Sequence, residues 1–143
     1  MKAVVIGCGR VGSGVAKGLL EAGWEVTAID ENEDALVRLG SGWKGGFVVG
    51  HGLDVTVLER AGVPHADAAV VSTSGDNTNV VLGQVLRQRY EIPCVVVRVL
   101  DPARAKFYAS RGMRTVCPTE TAISVLLETV RETTPTPVPE VAS

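Results

Sequence analysis

Three groups of residues in this chain could do chemistry together, and that chemistry is the holding of a phosphorylated sugar. The first is Gly7-Cys8-Gly9-Arg10-Val11-Gly12, a G-x-G-x-x-G turn. Gly7 allows the tight turn, Gly9 lets a pyrophosphate approach the backbone, and Gly12 lets a helix lie close. A helix that starts there offers free N–H groups to an anion. The second group is Asp30, 18 residues past Gly12, with Glu31 beside it. A carboxylate at that spacing accepts hydrogen bonds from the 2′- and 3′-hydroxyls of a ribose. The third is Ser72-Thr73-Ser74-Gly75-Asp76, with Asn79 shortly after. Its hydroxyls suit phosphate or ribose, although Ser and Asp are also common helix N-caps.

Three further positions join these groups. Arg10 stands at the start of the phosphate-side helix, where a guanidinium could reach a terminal phosphate in its own or a neighbouring subunit. Arg98 interrupts the apolar run Val95-Val96-Val97 and Val99, and a charge there needs a partner: a carboxylate such as Asp76, the ligand, or solvent at the strand end. His51, with Gly52 and Leu53, follows a third apolar run where an adenine edge could pass. A carboxylate at Asp30 repels a 2′-phosphate, so NADP is disfavoured relative to NAD or an adenine nucleotide.

The elements that must position these residues alternate strand and helix along the whole chain. Strands are expected near 2–6, 25–30, 46–50, 67–72, 94–99 and 114–117, and helices near 10–23, 32–39, 55–61, 76–90, 102–111 and 119–132. Near-continuous Val and Ile runs suit a parallel sheet buried on both faces. The expected fold is α/β, a Rossmann-like, doubly wound, six-stranded parallel sheet in a single domain, with strand order 3-2-1-4-5-6. In such a sheet the carboxyl ends of the strands gather the three groups into one crevice. Gly23, Asp101-Pro102 and Gly112 mark helix ends. The last helix carries Ile123, Val125, Leu126, Leu127 and Val130, to be buried on its own sheet or on a partner subunit.

Bulk properties remove several function classes. A chain of 143 residues suits one domain with its own core. Its net charge of −2, with no basic cluster, argues against nucleic acid, and 4% aromatic content argues against base-stacking platforms. Cys8, Cys94 and Cys117 form neither a C-x-x-C nor a metal-ligand spacing, so no metal is expected. A thiol at a helix N-terminus can have a lowered pKa, which singles out Cys8. No signal peptide and no membrane-length apolar run is evident, so a cytoplasmic protein is expected.

No segment supplies a hydride-transfer acid/base, a catalytic Lys–Tyr pair or a Ser-His-Asp order. A nucleotide site without catalytic machinery reads as a sensor rather than an enzyme. The alternative is an NAD-dependent oxidoreductase or its cofactor-binding fragment.

Several stretches carry a resemblance. They are Val4-Val5-Ile6-Gly7-Cys8-Gly9-Arg10-Val11-Gly12, Ile29-Asp30-Glu31, Val48-Val49-Gly50-His51-Gly52 and Leu58-Glu59-Arg60-Ala61-Gly62-Val63, followed by Ala66-Asp67-Ala68, Thr73-Ser74-Gly75-Asp76-Asn77-Thr78-Asn79 and Val97-Arg98-Val99. Over roughly residues 1–130 the chain resembles the nucleotide-binding domain of the Trk/Ktr potassium-uptake regulators, the RCK N-terminal or TrkA-N family. The resemblance implies a regulatory cytosolic subunit that binds NAD(H) or ATP/ADP. Nucleotide state would alter packing in a homodimer or ring, and thereby gate a membrane potassium transporter. It would lie at the inner face of the membrane through that partner. Gly7, Gly9 and Gly12 match the family's phosphate turn, Arg10 its phosphate-side arginine and Asp30 its ribose acid. Thr73 and Ser74 match the loop after strand four, and Arg98 the strand-five arginine. Two departures stand out. His51 replaces the acid that the family has near the adenine. Residues 133–143 form a Pro/Thr-rich tail, expected to be flexible, where relatives carry a small sensing domain. The nucleotide-binding domain is therefore expected over 1–132, working alone or with a separate subunit.

Overall fold

A computed structural model describes residues 1–137 and 139–142; Val138 and Ser143, both in the expected tail, lie outside the described residues. Six strands form one sheet: β1 (Lys2–Ile6), β2 (Glu25–Asp30), β3 (Gly46–Val49), β4 (Ala68–Val71), β5 (Cys94–Arg98) and β6 (Arg114–Val116). The helices between and after them are α1 (Arg10–Glu21), α2 (Ala35–Leu39), α3 (Val55–Arg60), α4 (Asp76–Gln88), α5 (Pro102–Ser110) and α6 (Pro118–Thr133). Every strand pair is parallel, and the order is β3-β2-β1-β4-β5-β6, the doubly wound arrangement expected from the sequence. β1 and β4 lie side by side where the chain reverses its winding direction. Their carboxyl ends open the crevice there.

β1 is apolar without interruption because both of its faces are covered. Val4 and Ile6 join Leu58, Leu82, Leu86 and Val97 in the larger core, while Val5 joins Ala16, Val26, Ala28, Ala35 and Leu39 on the opposite face. β5 behaves differently. Val95 and Val97 are buried, but Cys94, Val96 and Arg98 are only half-buried, because that face lacks a covering helix. Burial on both faces therefore holds for the central strands β1, β2 and β4 and fails at β3, β5 and β6.

Two helices depart from expectation. α2 begins at Ala35 rather than 32, because Asp30 and Asn32 engage the backbone between them. Asp30 Oδ1 accepts the Asn32 N–H at 2.9 Å, and Asn32 Oδ1 accepts the Asp34 N–H at 2.9 Å. Such side-chain turns compete with helical bonding. A 3-10 turn at Val63–His65 also appears, with Pro64 in its first turn. α6 begins one residue earlier than expected, with Pro118 at the first helical position. It has no buried residue at all, so it does not pack on its own sheet. Residues 134–137 continue from it without helix or strand. Among the described residues no helix is long and apolar enough to cross a membrane.

Candidate functional site

A crevice of about 440 Å³ opens at the carboxyl ends of the strands, large enough for a mononucleotide. One wall is the turn between β1 and α1. Gly7 has φ +90°, a backbone region that side chains disfavour, and a Cβ there would lie 2.6 Å from the Ser72 carbonyl carbon. Gly12 is tighter still, because an added Cβ would overlap the carbonyl oxygen of Gly7. Gly9 has open space where its side chain would be, so this stretch of backbone is accessible to a ligand. α1 begins with Gly9 as N-cap, no side-chain cap and no acidic residue in its first turn. The first bond back to the cap is Ser13 N–H to Gly9 oxygen, which leaves the preceding N–H groups without helical acceptors. That arrangement favours an anion.

Asp30 closes the second side. Its Oδ2 accepts the Cys8 N–H at 2.8 Å and its Oδ1 the Asn32 N–H at 2.9 Å. The carboxylate is thus fixed at the crevice edge, with lone pairs left over for two hydroxyls. Cys8 is fully buried beneath this bond. Burial first, and then the charge of Asp30, pushes its thiol from 9.0 up to about 12. The lowered pKa that a helix N-terminus would suggest is therefore overturned: desolvation outweighs the helix.

The third side is the loop after β4, and its geometry depends on a residue that does not face the crevice. Asn79 is fully buried. Its Oδ1 accepts from the Thr73 N–H at 3.0 Å and from the Thr73 hydroxyl. Its Nδ2 donates to the carbonyls of Thr73, at 3.0 Å, and of Arg98, at 2.9 Å. All four hydrogen-bonding positions of the amide are occupied. Asn79 shapes the loop from below and has nothing left for a ligand. Ser72 is similarly engaged, donating its hydroxyl to the Gly7 carbonyl at 2.8 Å, so the loop and the glycine turn are tied together. Ser74 is exposed and lines the crevice.

Arg98 lines the crevice, and its Nη2 donates to the Thr73 carbonyl at 2.8 Å. It makes no ion pair with Asp76, the carboxylate offered as its partner. Asp76 instead accepts the N–H groups of Leu100, at 2.8 Å, and Asp101, at 3.0 Å. Burial alone would push the Asp76 carboxyl up. The two N–H groups, with the charges of Arg104 and Arg98, outweigh that and hold it below its usual range. Asp76 fastens α4 to the loop before α5 and stands outside the crevice lining.

The crevice thus brings together Gly7, Cys8, Gly9, Asp30, Glu31, His51, Gly52, Ser72, Thr73, Ser74 and Arg98. Arg10, Val11, Gly12, Leu53, Asp76 and Asn79 are not part of its lining. Arg10 and Val11 are exposed at the start of α1, just beyond the opening. Asn32, at the end of the loop that the sequence places in the crevice, lines it as expected, whereas sequence reasoning did not single out Arg38 and Thr78, which also line it. Arg38 was visible as the basic residue in the last turn of the helix that follows the ribose acid.

A family model described as the TrkA-N domain matches residues 3–118. The chain is similar to the Trk system potassium uptake protein TrkA of Streptomyces coelicolor, 40% identical over 116 residues, which cover 81% of this chain and 52% of that one. It spans about half the length of the curated relatives it matches. Among solved structures it is similar to GsuK bound to ADP, with a TM-score of 0.80, 21% identity, and coverage of 93% of this chain and 34% of that one. It is also similar to the Kef C-terminal domain of Shewanella denitrificans in its AMP-bound form, with a TM-score of 0.76, 19% identity, and coverage of 92% and 81%. At these identities the structural likeness speaks for the fold.

Proposed function

This chain belongs to the TrkA-N domain family, and on that premise we propose that it is a non-enzymatic, nucleotide-sensing module of a potassium transport system. The observation that carries the reading is the fixed pairing of Asp30 with the glycine turn, at 2.8 Å between Asp30 Oδ2 and the Cys8 nitrogen. It sets a ribose acceptor beside a helix N-terminus open to phosphate. Similar folds hold AMP and ADP, which supports an adenine nucleotide, ATP/ADP or NAD(H), as the ligand. Asp30 repels a 2′-phosphate and disfavours NADP(H). NADPH is also the comparison that reads whether Arg38 offsets that repulsion. Arg10, exposed at the first position of α1, is the residue we assign to distinguishing a terminal phosphate.

The output of the sensor is a change in subunit packing. A ligand shifts an assembly only through its different affinity for two arrangements. α6 presents Ile123, Leu126, Leu127 and Val130 on one helical stripe, between 49% and 66% exposed. We assign that stripe to a second copy of the chain, in a dimer or larger ring that sits in the cytoplasm against a membrane potassium transporter. The domain that carries these roles runs over 1–132; α6 ends at Thr133, and residues 134–137 follow it without helix or strand.

Sedimentation with and without nucleotide tests this directly. The wild-type chain is expected to form a dimer or larger ring whose sedimentation changes with nucleotide, and Leu126→Glu with Leu127→Glu to be monomeric. A wild-type chain that stays monomeric at every concentration and with every nucleotide would contradict the packing output.

A further inference from the structure

The end of the crevice beyond Asp30 carries two polar side chains, each with an edge that neither the turn nor the loops use. With phosphate at the start of α1 and ribose at Asp30 on β2, the base falls beyond β2 toward β3, at the segment Gly50-His51-Gly52. Added Cβ atoms at the two glycines would meet the core: Gly52 would have Ile6 Cγ2 at 2.7 Å, and Gly50 would overlap Val57 Cγ2. The segment therefore lies flat on the core, and the His51 imidazole is its one side chain.

The Leu53 N–H donates to His51 Nδ1 at 3.0 Å. A nitrogen that accepts carries no proton in the neutral ring, so the proton sits on Nε2. His51 can therefore only donate from its free edge. Glu31 Oε1 lies 3.6 Å from that Nε2, close enough to face it and longer than a hydrogen bond. Both residues line the crevice. The result is a donor and an acceptor side by side, neither satisfied by the other.

We propose that His51 and Glu31 read the base, the Nε2–H donating to a ring nitrogen and the Glu31 carboxylate accepting from an exocyclic amino group. That pattern is the donor–acceptor edge of adenine. In hypoxanthine the amino group becomes a carbonyl oxygen, which would face the carboxylate with two acceptors opposed. Guanine has the same oxygen. The proposal rests on the nucleotide-binding reading above and names the residues that make it adenine-specific.

The test is titration of the full chain with ADP against IDP, and with NADH against its hypoxanthine counterpart. Wild-type protein is expected to favour the adenine form by about tenfold, the scale of one base-edge recognition pair. Glu31→Ala should bring that ratio close to one, by weakening the adenine form and relieving the opposed acceptors in the hypoxanthine form, and His51→Ala should weaken the adenine form about tenfold. Both side chains are about half exposed or more, at 47% and 70%, so unchanged thermal unfolding of the variants is expected and separates recognition from stability. A wild-type ratio near one, or a tenfold ratio that survives both substitutions, overturns the proposal. Failure of the wild-type protein to bind any of the four ligands overturns the nucleotide reading itself, and the base assignment with it.

Discussion

Asp30 Oδ2 accepts the backbone N–H of Cys8 at 2.8 Å, across the carboxyl ends of neighbouring strands β2 and β1. Asp30 and the glycine turn are therefore one mechanical unit. Each is held by the other, and on the proposed nucleotide reading this lowers the ordering cost of binding.

Substitution at Asp30 should thus be felt twice. Asp30→Ala leaves the Cys8 and Asn32 N–H groups without their acceptor and is expected to cost about 1–2 kcal/mol in urea unfolding. A stability equal to wild type would mean that the two bonds are replaced by water at no cost.

Glycines in and near the turn separate into two kinds. At Gly12 an added methyl overlaps the Gly7 carbonyl oxygen and lies 2.7 Å from Ser72 Oγ. Gly12→Ala should destabilise the fold by about 3 kcal/mol or more through overpacking against backbone. Gly14 and Gly18 lie on the same helix with nothing within 4 Å of an added Cβ. Gly14→Ala and Gly18→Ala should each stabilise by about 0.5–1 kcal/mol, because alanine loses less backbone entropy in a helix. Thermal or urea unfolding of the three variants side by side checks the contrast.

Asn79 is a buried support for the loop after β4. Asn79→Ala removes four hydrogen bonds and strands the Thr73 N–H and the Arg98 carbonyl. The expected loss is about 2–4 kcal/mol, on the scale of buried unsatisfied polar groups. Nucleotide affinity should fall with it, since Thr73 and Arg98 line the crevice. Asn79→Asp keeps the acceptor but sets a buried carboxylate oxygen against the Thr73 and Arg98 carbonyls, so it should cost at least as much as alanine.

Two groups make stability depend on pH. The Cys8 thiol is raised from 9.0 to about 12 in the folded chain. The folded state holds its proton where the unfolded chain releases it, so this contribution is intact below pH 9 and is lost as pH rises toward 12. Asp76 is shifted the other way, below its ordinary 3.8. Its contribution is present above that value and is lost as pH falls through the lowered pKa. Asp76→Asn should flatten the acid limb of a stability–pH curve, and Cys8→Ser should alter the alkaline limb. In the native chain at pH 8, iodoacetamide should spare Cys8, buried and protonated, and modify the half-buried Cys94 first. Rapid native labelling of Cys8 would contradict its burial.

The strand order and most element positions were legible in the sequence because local signals agree. Unbroken runs such as Ala3–Ile6 mark strands buried on both faces, and Asp101-Pro102 marks the start of α5, where Asp101 Oδ1 accepts the Ala103 N–H at 3.2 Å. What was not legible depends on contacts between distant segments. α2 is short because Asp30 and Asn32 bond the backbone that a helix would need. Asn79 reads as a candidate ligand group, and only the packed structure shows its amide turned inward onto Thr73 and Arg98. Arg38 belongs to no motif and reaches the crevice only through the folding of the helix that carries it. The exposure of α6 has the same origin, since its apolar stripe is identical in sequence whether it covers its own sheet or another copy.

The measurement that tests the central claim most directly is calorimetric titration of the chain with ATP, ADP, NADH, NAD and NADPH, alongside Asp30→Ala at a temperature where that variant is folded. The account predicts saturable binding with one site per chain, discrimination between ATP and ADP or between NADH and NAD, weaker binding of NADPH, and loss of all of it in the variant. Binding of none of the five, or undiminished binding in the Asp30→Ala chain, would contradict it.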